Sequence, residues 1–119
     1  GFTSFLPQFW MRARISPAAA LLMRAALIVE RGWWDGGRSR GRGSKSARCA
    51  HTAILEASDG HRGDAFWAAN HALVDCLGGE YRNLTPIFRW NDAPGQTAEN
   101  VAATMRRVAL TMDKVRVAA

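Results

Sequence analysis

The sequence predicts an all-α protein, a compact bundle of four main helices with a long flexible basic loop between the first two. Three observations point there. The 119 residues are one domain's length, which excludes a multidomain enzyme. A composition of 48% hydrophobic and 22% charged residues is that of a chain able to bury a core. Apolar residues then recur at spacings of three and four along several stretches, each bounded by capping and turn residues. Residues 16–119 are read as a single helical domain with 35–47 as its flexible loop. Residues 1–15 are set apart as an N-terminal segment. Met11 is a plausible translation start, which predicts a poorly packed decapeptide before it, although Phe2, Phe5, Phe9 and Trp10 argue for something to bury against.

The first helix is expected near residues 16–31. Ser16 is its N-cap, Pro17 takes the first helical position, and Gly32 stands just past the end. Leu21, Leu22, Ala25, Ile28 and Val29 form one apolar stripe, and Trp33 and Trp34 are expected to fold back onto it. At 12 residues, the apolar run 18–29 falls well short of the roughly 20 needed to cross a bilayer, so no membrane partner is expected. Residues 35–47 hold four Gly, three Ser and no large apolar residue, hence the loop.

A second helix is expected near 47–58, with Cys49, Ala50, Ala53, Ile54 and Ala57 on one small, flat face. The cluster Ser58-Asp59-Gly60-His61-Arg62-Gly63 is a turn, after which Asp64 is placed as the cap of a third helix near 64–78. Its inner side reads Phe66, Ala69, Leu73, Cys76 and Leu77, and Gly78-Gly79 ends it. Thr85-Pro86-Ile87-Phe88-Arg89-Trp90 fits a single helical turn capped by Thr85 better than an extended run. The last helix, near 97–117, is the clearest. Val101, Met105, Val108, Met112 and Val115 repeat at 4, 3, 4, 3 beside a polar row of Asn100, Thr104, Arg107, Thr111 and Lys114. Thr97 is its N-cap, Glu99 suits the positive first turn, and Lys114 and Arg116 suit the negative last turn.

Charge is unevenly spread. The formal net charge is +6, yet Arg38, Arg40, Arg42, Lys45 and Arg48 stand together with no acid among them. A near-neutral globule with one basic loop is a different object from a uniformly basic protein. These five cations are the candidate contact for nucleic acid or an acidic protein partner, through salt-sensitive binding of weak sequence preference. No aromatic lies between residues 38 and 48, so single-strand recognition would need Trp33, Trp34 or another surface aromatic nearby.

The run Trp90-Asn91-Asp92-Ala93-Pro94-Gly95-Gln96-Thr97 before an amphipathic helix, with Glu30-Arg31-Gly32-Trp33 and Cys49-Ala50 earlier, resembles the signature of a small bacterial and bacteriophage family of unknown function. The resemblance spans about residues 18 to 116. It implies the helical architecture and no activity. Two positions depart from the pattern: Gln96 stands where the family usually has Arg, and Asn100 where a Glu would complete a capping box with Thr97. Read from the residues alone, Asn91 and Asp92 can hydrogen-bond amides two residues on, Pro94 fixes φ, and Gly95 permits a positive φ before Thr97 starts the helix. The turn of Asn91, Asp92, Pro94, Gly95 and Thr97 is thus first a rigid lead into the helix and second a candidate site.

Catalytic and metal chemistry find little support. Both cysteines, Cys49 and Cys76, are read as buried thiols, too few for a disulfide framework. On a helical wheel Cys49 and His51 point about 160° apart, and His71 and Cys76 about 140° apart, so they do not converge on an ion. His71, four residues before Asp75, fits an exposed ion pair. Gly41-Arg42-Gly43-Ser44-Lys45-Ser46 lacks the order and flanking strand of a phosphate-binding loop. No cofactor and no metal is expected. Enzyme activity would gain support only if Asp92, His71 or His61 met in an enclosed pocket. The expected function is a cytoplasmic protein-interaction or regulatory module, with a nonspecific nucleic-acid-binding accessory as the alternative and an enzyme of unknown class third.

Overall fold

The computed structural model describes residues 15–35, 48–79 and 83–118, with side chains as far as Asp113. The expectations placed on the first decapeptide, on the loop residues Arg38, Arg40, Arg42 and Lys45, and on the side chains of Lys114, Val115 and Arg116 lie outside the described residues. Among those described, the regular elements are five helices: α1 (Pro17–Arg31), α2 (Ala50–Ala57), α3 (Asp64–Cys76), α4 (Thr85–Asn91) and α5 (Ala98–Ala118). No helix is long and apolar enough to cross a membrane among the described residues.

The outer signals of α1 act as the sequence predicts. The Ser16 hydroxyl accepts from the Ala19 N–H at 3.0 Å, and Pro17 occupies the first turn, where no intrahelical donor is needed. Gly32 closes the helix with its N–H directed at the Ile28 and Val29 carbonyls. Ala18, Ala19, Leu21, Leu22, Ala25, Ala26 and Val29 are buried, and Ile28 is half-buried.

α1 packs most extensively on α5, whose buried side chains are Val101, Ala102, Thr104, Met105, Val108 and Ala109. Alanines on both inner faces let the two axes approach closely. The helices run antiparallel. Asp113 accepts the Ser16 N–H at 3.3 Å near one end, and both Arg106 amino groups donate to the Glu30 carboxylate towards the other. The short helices α2, α3 and α4 complete one core around Leu22, Ile54, Phe66, Leu73 and Ile87.

Several boundaries move. The second helix starts at Ala50 rather than near residue 47, because the Cys49 backbone is extended and serves as its N-cap. The third stops at Cys76, with Gly63 rather than Asp64 as N-cap. Residues 85–91 form a helix of their own, with Leu84 at the N-cap and Thr85 inside. Neither cysteine is a buried thiol: Cys49 is half-buried and Cys76 exposed. The inner face of α3 follows Phe66, Ala69, Asn70, Leu73 and Val74, and this rotation carries Cys76 off the core. Thr104, expected on the polar row, is buried.

Candidate functional site

The segments on either side of residues 36–47 meet at one buried side chain. Asn91, the last residue of α4, is only 1% exposed and uses its whole amide. Its oxygen accepts from the Trp33 indole Nε1–H at 2.7 Å and from the Ala50 backbone N–H at 3.0 Å. Its nitrogen donates to the Trp34 carbonyl at 3.0 Å and to Asp92 Oδ1 at 2.9 Å. Two donors and two acceptances are what the amide oxygen and NH2 can supply, so the group is satisfied where burial would otherwise be costly. The expectation that Asn91 bonds amides two residues on is corrected: its partners are Trp33 and Trp34 on one distant segment, Ala50 on another, and its neighbour Asp92.

The same place ties residues 32–34 to residue 48. Trp33 and Arg48 form an isolated parallel bridge, with Arg48 N–H donating to the Gly32 carbonyl at 2.7 Å and Trp34 N–H to the Arg48 carbonyl at 3.0 Å. Arg48 also holds Glu56 through Nε at 3.1 Å. Trp33 packs against the core as expected, whereas Trp34 keeps 40% of its surface exposed.

From Asn91 an aromatic edge runs across α4, α2 and α3. Phe88 lies three residues before Asn91, one turn away on α4. Its ring centroid stands 5.4 Å from that of His51, the residue after Ala50. His51 lies 5.7 Å from Phe66, Phe66 4.9 Å from Trp67, and Trp67 6.1 Å from His71. Phe66 is the buried member. Phe88 and Trp67 are 42% and 40% exposed.

A second buried asparagine orients this row. Asn70 donates through Nδ2 to the Phe66 carbonyl at 2.8 Å, which turns its oxygen towards His51 Nδ1 at 3.2 Å. An amide oxygen only accepts, so neutral His51 carries its proton on Nδ1 and keeps its lone pair on Nε2. Cys49 looks elsewhere, its Sγ 2.8 Å from the Thr52 hydroxyl.

The turn 92–97 leads directly into α5. Gly95 has φ +81°, and Thr97 Oγ1 accepts from the Asn100 N–H at 3.0 Å. The two departures from the expected pattern join each other: Gln96 donates to the Trp90 carbonyl at 2.9 Å, and its oxygen accepts from the Asn100 amide four residues on. Asp92 is exposed at the C-cap of α4.

Asp92, His61 and His71 are not brought together. His61 borders a surface depression of about 360 Å³ with Asp59 and Asp64, and His71 lies beside Trp67. A larger cleft of about 530 Å³ between α3 and α5, lined by Ala72, Asp75, Cys76, Arg107, Val108, Thr111 and Met112, includes none of the three. Among the described residues no group of three or more His, Cys, Asp or Glu is placed to hold a metal ion.

A model of the family described as Family of unknown function (DUF6197) matches residues 13–111. The chain belongs to that family. The DUF6197 match covers Trp33, Ala50, Asn70 and Asn91, hence the whole hydrogen-bonded frame under the aromatic edge. No curated protein and no solved structure matches the chain.

The pattern of α3 already placed Trp67 off the apolar stripe, which was the sequence signal for its exposure. His51, Asn70 and Phe88 carried no such signal, since their relation depends on how three helices meet.

Proposed function

We propose that this protein is an interaction module that presents the edge Trp34, Phe88 and Trp67 to a macromolecular partner. The observation that carries the reading is the exposure of Phe88 and Trp67, at 42% and 40%, on a row of rings joined through His51 and Phe66 and oriented by Asn70, with Trp34 also 40% exposed beside the Asn91 hydrogen bonds. Rigid aromatics lose little conformational entropy on binding and offer large contact area, which is why they dominate contact surfaces. The exposed rings Trp34, Phe88 and Trp67 line neither of the two cavities described above, although buried Phe66 borders the smaller. The edge suits a partner laid across it better than a small substrate enclosed by it.

The test is photocrosslinking in cells. A photoreactive residue at position 67 or 88 is expected to give discrete adducts, and one at exposed Leu110, on α5, is not. Equal labelling at positions 67, 88 and 110 would overturn the reading.

A second reading, nonspecific nucleic-acid binding through Arg38, Arg40, Arg42, Lys45 and Arg48, is favoured by the backbone pairing that sets Trp34 beside Arg48. That supplies the surface aromatic the basic segment itself lacks. Glu56 partly neutralises Arg48 and so reduces its contribution.

A further inference from the structure

We propose that the cleft between α3 and α5 binds a small amphiphile, a medium-length apolar chain that ends in a carboxylate. This site is separate from the aromatic edge and does not depend on it.

The cleft has the size of a small-molecule site rather than of a protein groove. Its volume of about 530 Å³ lies within the range in which small ligands are held. Its α3 wall runs only from Ala72 to Cys76 and its α5 wall from Arg107 to Met112. At about 1.5 Å per residue, each wall is less than about 10 Å long. A partner helix laid in a groove needs several turns of wall to seat its successive anchors. An extended chain of a few methylenes does not.

The chemistry of the lining selects the ligand. Val108 is buried, and Ala72 and Met112 are half-buried, so the inner surface is apolar. A hydrocarbon chain gains by leaving water there. Thr111 donates its hydroxyl proton to the Arg107 carbonyl at 3.0 Å, which leaves no donor on that side chain for a ligand. The charges differ in how they are answered. Arg106, on the other side of α5, is taken by Glu30. Arg107 is exposed, and its guanidinium has no acidic partner among the described residues. Asp75, the acid of the same lining, already has a partner. The unanswered charge at the cleft is therefore positive. A carboxylate is the planar anion that a guanidinium meets with two parallel hydrogen bonds. The apolar wall alone would accept any oily molecule, and Arg107 is what favours the acid.

The test uses the full chain with octanoate and decanoate below their micelle-forming concentrations, and with decanol and decylammonium as comparison ligands. Binding is read from amide and methyl NMR shifts and from the rate at which iodoacetamide alkylates Cys76, the exposed thiol of the lining. Both carboxylates should move the Ala72, Val108 and Met112 signals, with decanoate the tighter by about fourfold per added methylene. Decanoate should slow alkylation of Cys76 and leave that of Cys49 unchanged. Arg107→Gln, with unchanged melting, should weaken decanoate about tenfold and leave decanol as it was. Cys76→Trp, which fills the cleft from an exposed position, should weaken all the ligands alike.

Shifts spread over the whole surface, or centred on Phe88 and Trp67, would overturn the inference. So would Arg107→Gln binding decanoate as tightly as wild type, decylammonium binding more tightly than decanoate, or Cys76 alkylation at one rate with and without decanoate.

Discussion

Asn91 concentrates more tertiary information than any other side chain described, because one amide answers for Trp33, Trp34, Ala50 and Asp92. Asn91→Ala leaves the Ala50 N–H and the Trp33 indole N–H without an acceptor, each costing about 1–3 kcal/mol. Urea denaturation should therefore show a loss of about 3 kcal/mol or more. Trp33→Phe removes one of those donors and should cost about 1 kcal/mol. The double variant should lose clearly less than the two single losses added, since the indole bond can be lost only once. At His51, nitrogen NMR of the neutral ring should find Nδ1 protonated, and Asn70→Ala should release that preference. The sequence showed Asn91 as a turn residue and could not show more. Three of its partners are 41, 57 and 58 residues away, and hydrogen-bonding capacity alone does not say which distant group will use it.

Helices α1 and α5 were legible because their signals are local: a serine cap, a proline in the first turn, and an apolar period that needs no knowledge of the partner face. α4 was harder, since seven residues are too few to show a period and its identity as a helix depends on packing against α2 and α3. The rotation of the α3 face had the same origin: Asn70 is polar, and its burial becomes favourable only once the Phe66 carbonyl and His51 are in place. Two variants test the elements. Gln96→Arg with Asn100→Glu replaces the amide pair by an i,i+4 ion pair and completes a capping box with Thr97, so the melting temperature should rise, by about 0.5–1 kcal/mol in stability. Gly79→Ala should destabilise, because a Cβ there would come within 2.7 Å of Pro86 Cγ and 2.9 Å of Val74 Cγ1, between α3 and α4. Thermal denaturation of both decides.

Across the whole molecule, the Glu30 and Arg106 pair is the exposed clasp over the α1 and α5 seam. The hydrogen bonds from Arg106 hold the Glu30 carboxyl below the usual carboxylate range, against a smaller opposing effect of desolvation. A carboxyl whose folded value is depressed adds stability above its unfolded value and loses it as pH falls through the folded one. A carbon NMR titration should place the Glu30 midpoint below the ordinary range, and Arg106→Gln should return it there. The change in melting temperature should be small, since both groups are solvated. The bridge between Trp33 and Arg48 has a different kind of consequence. Its two backbone bonds set the separation of α1 from α2 through residues 32, 34 and 48 themselves, so exchanging residues 36–47 for another sequence of equal length should leave the melting temperature unchanged.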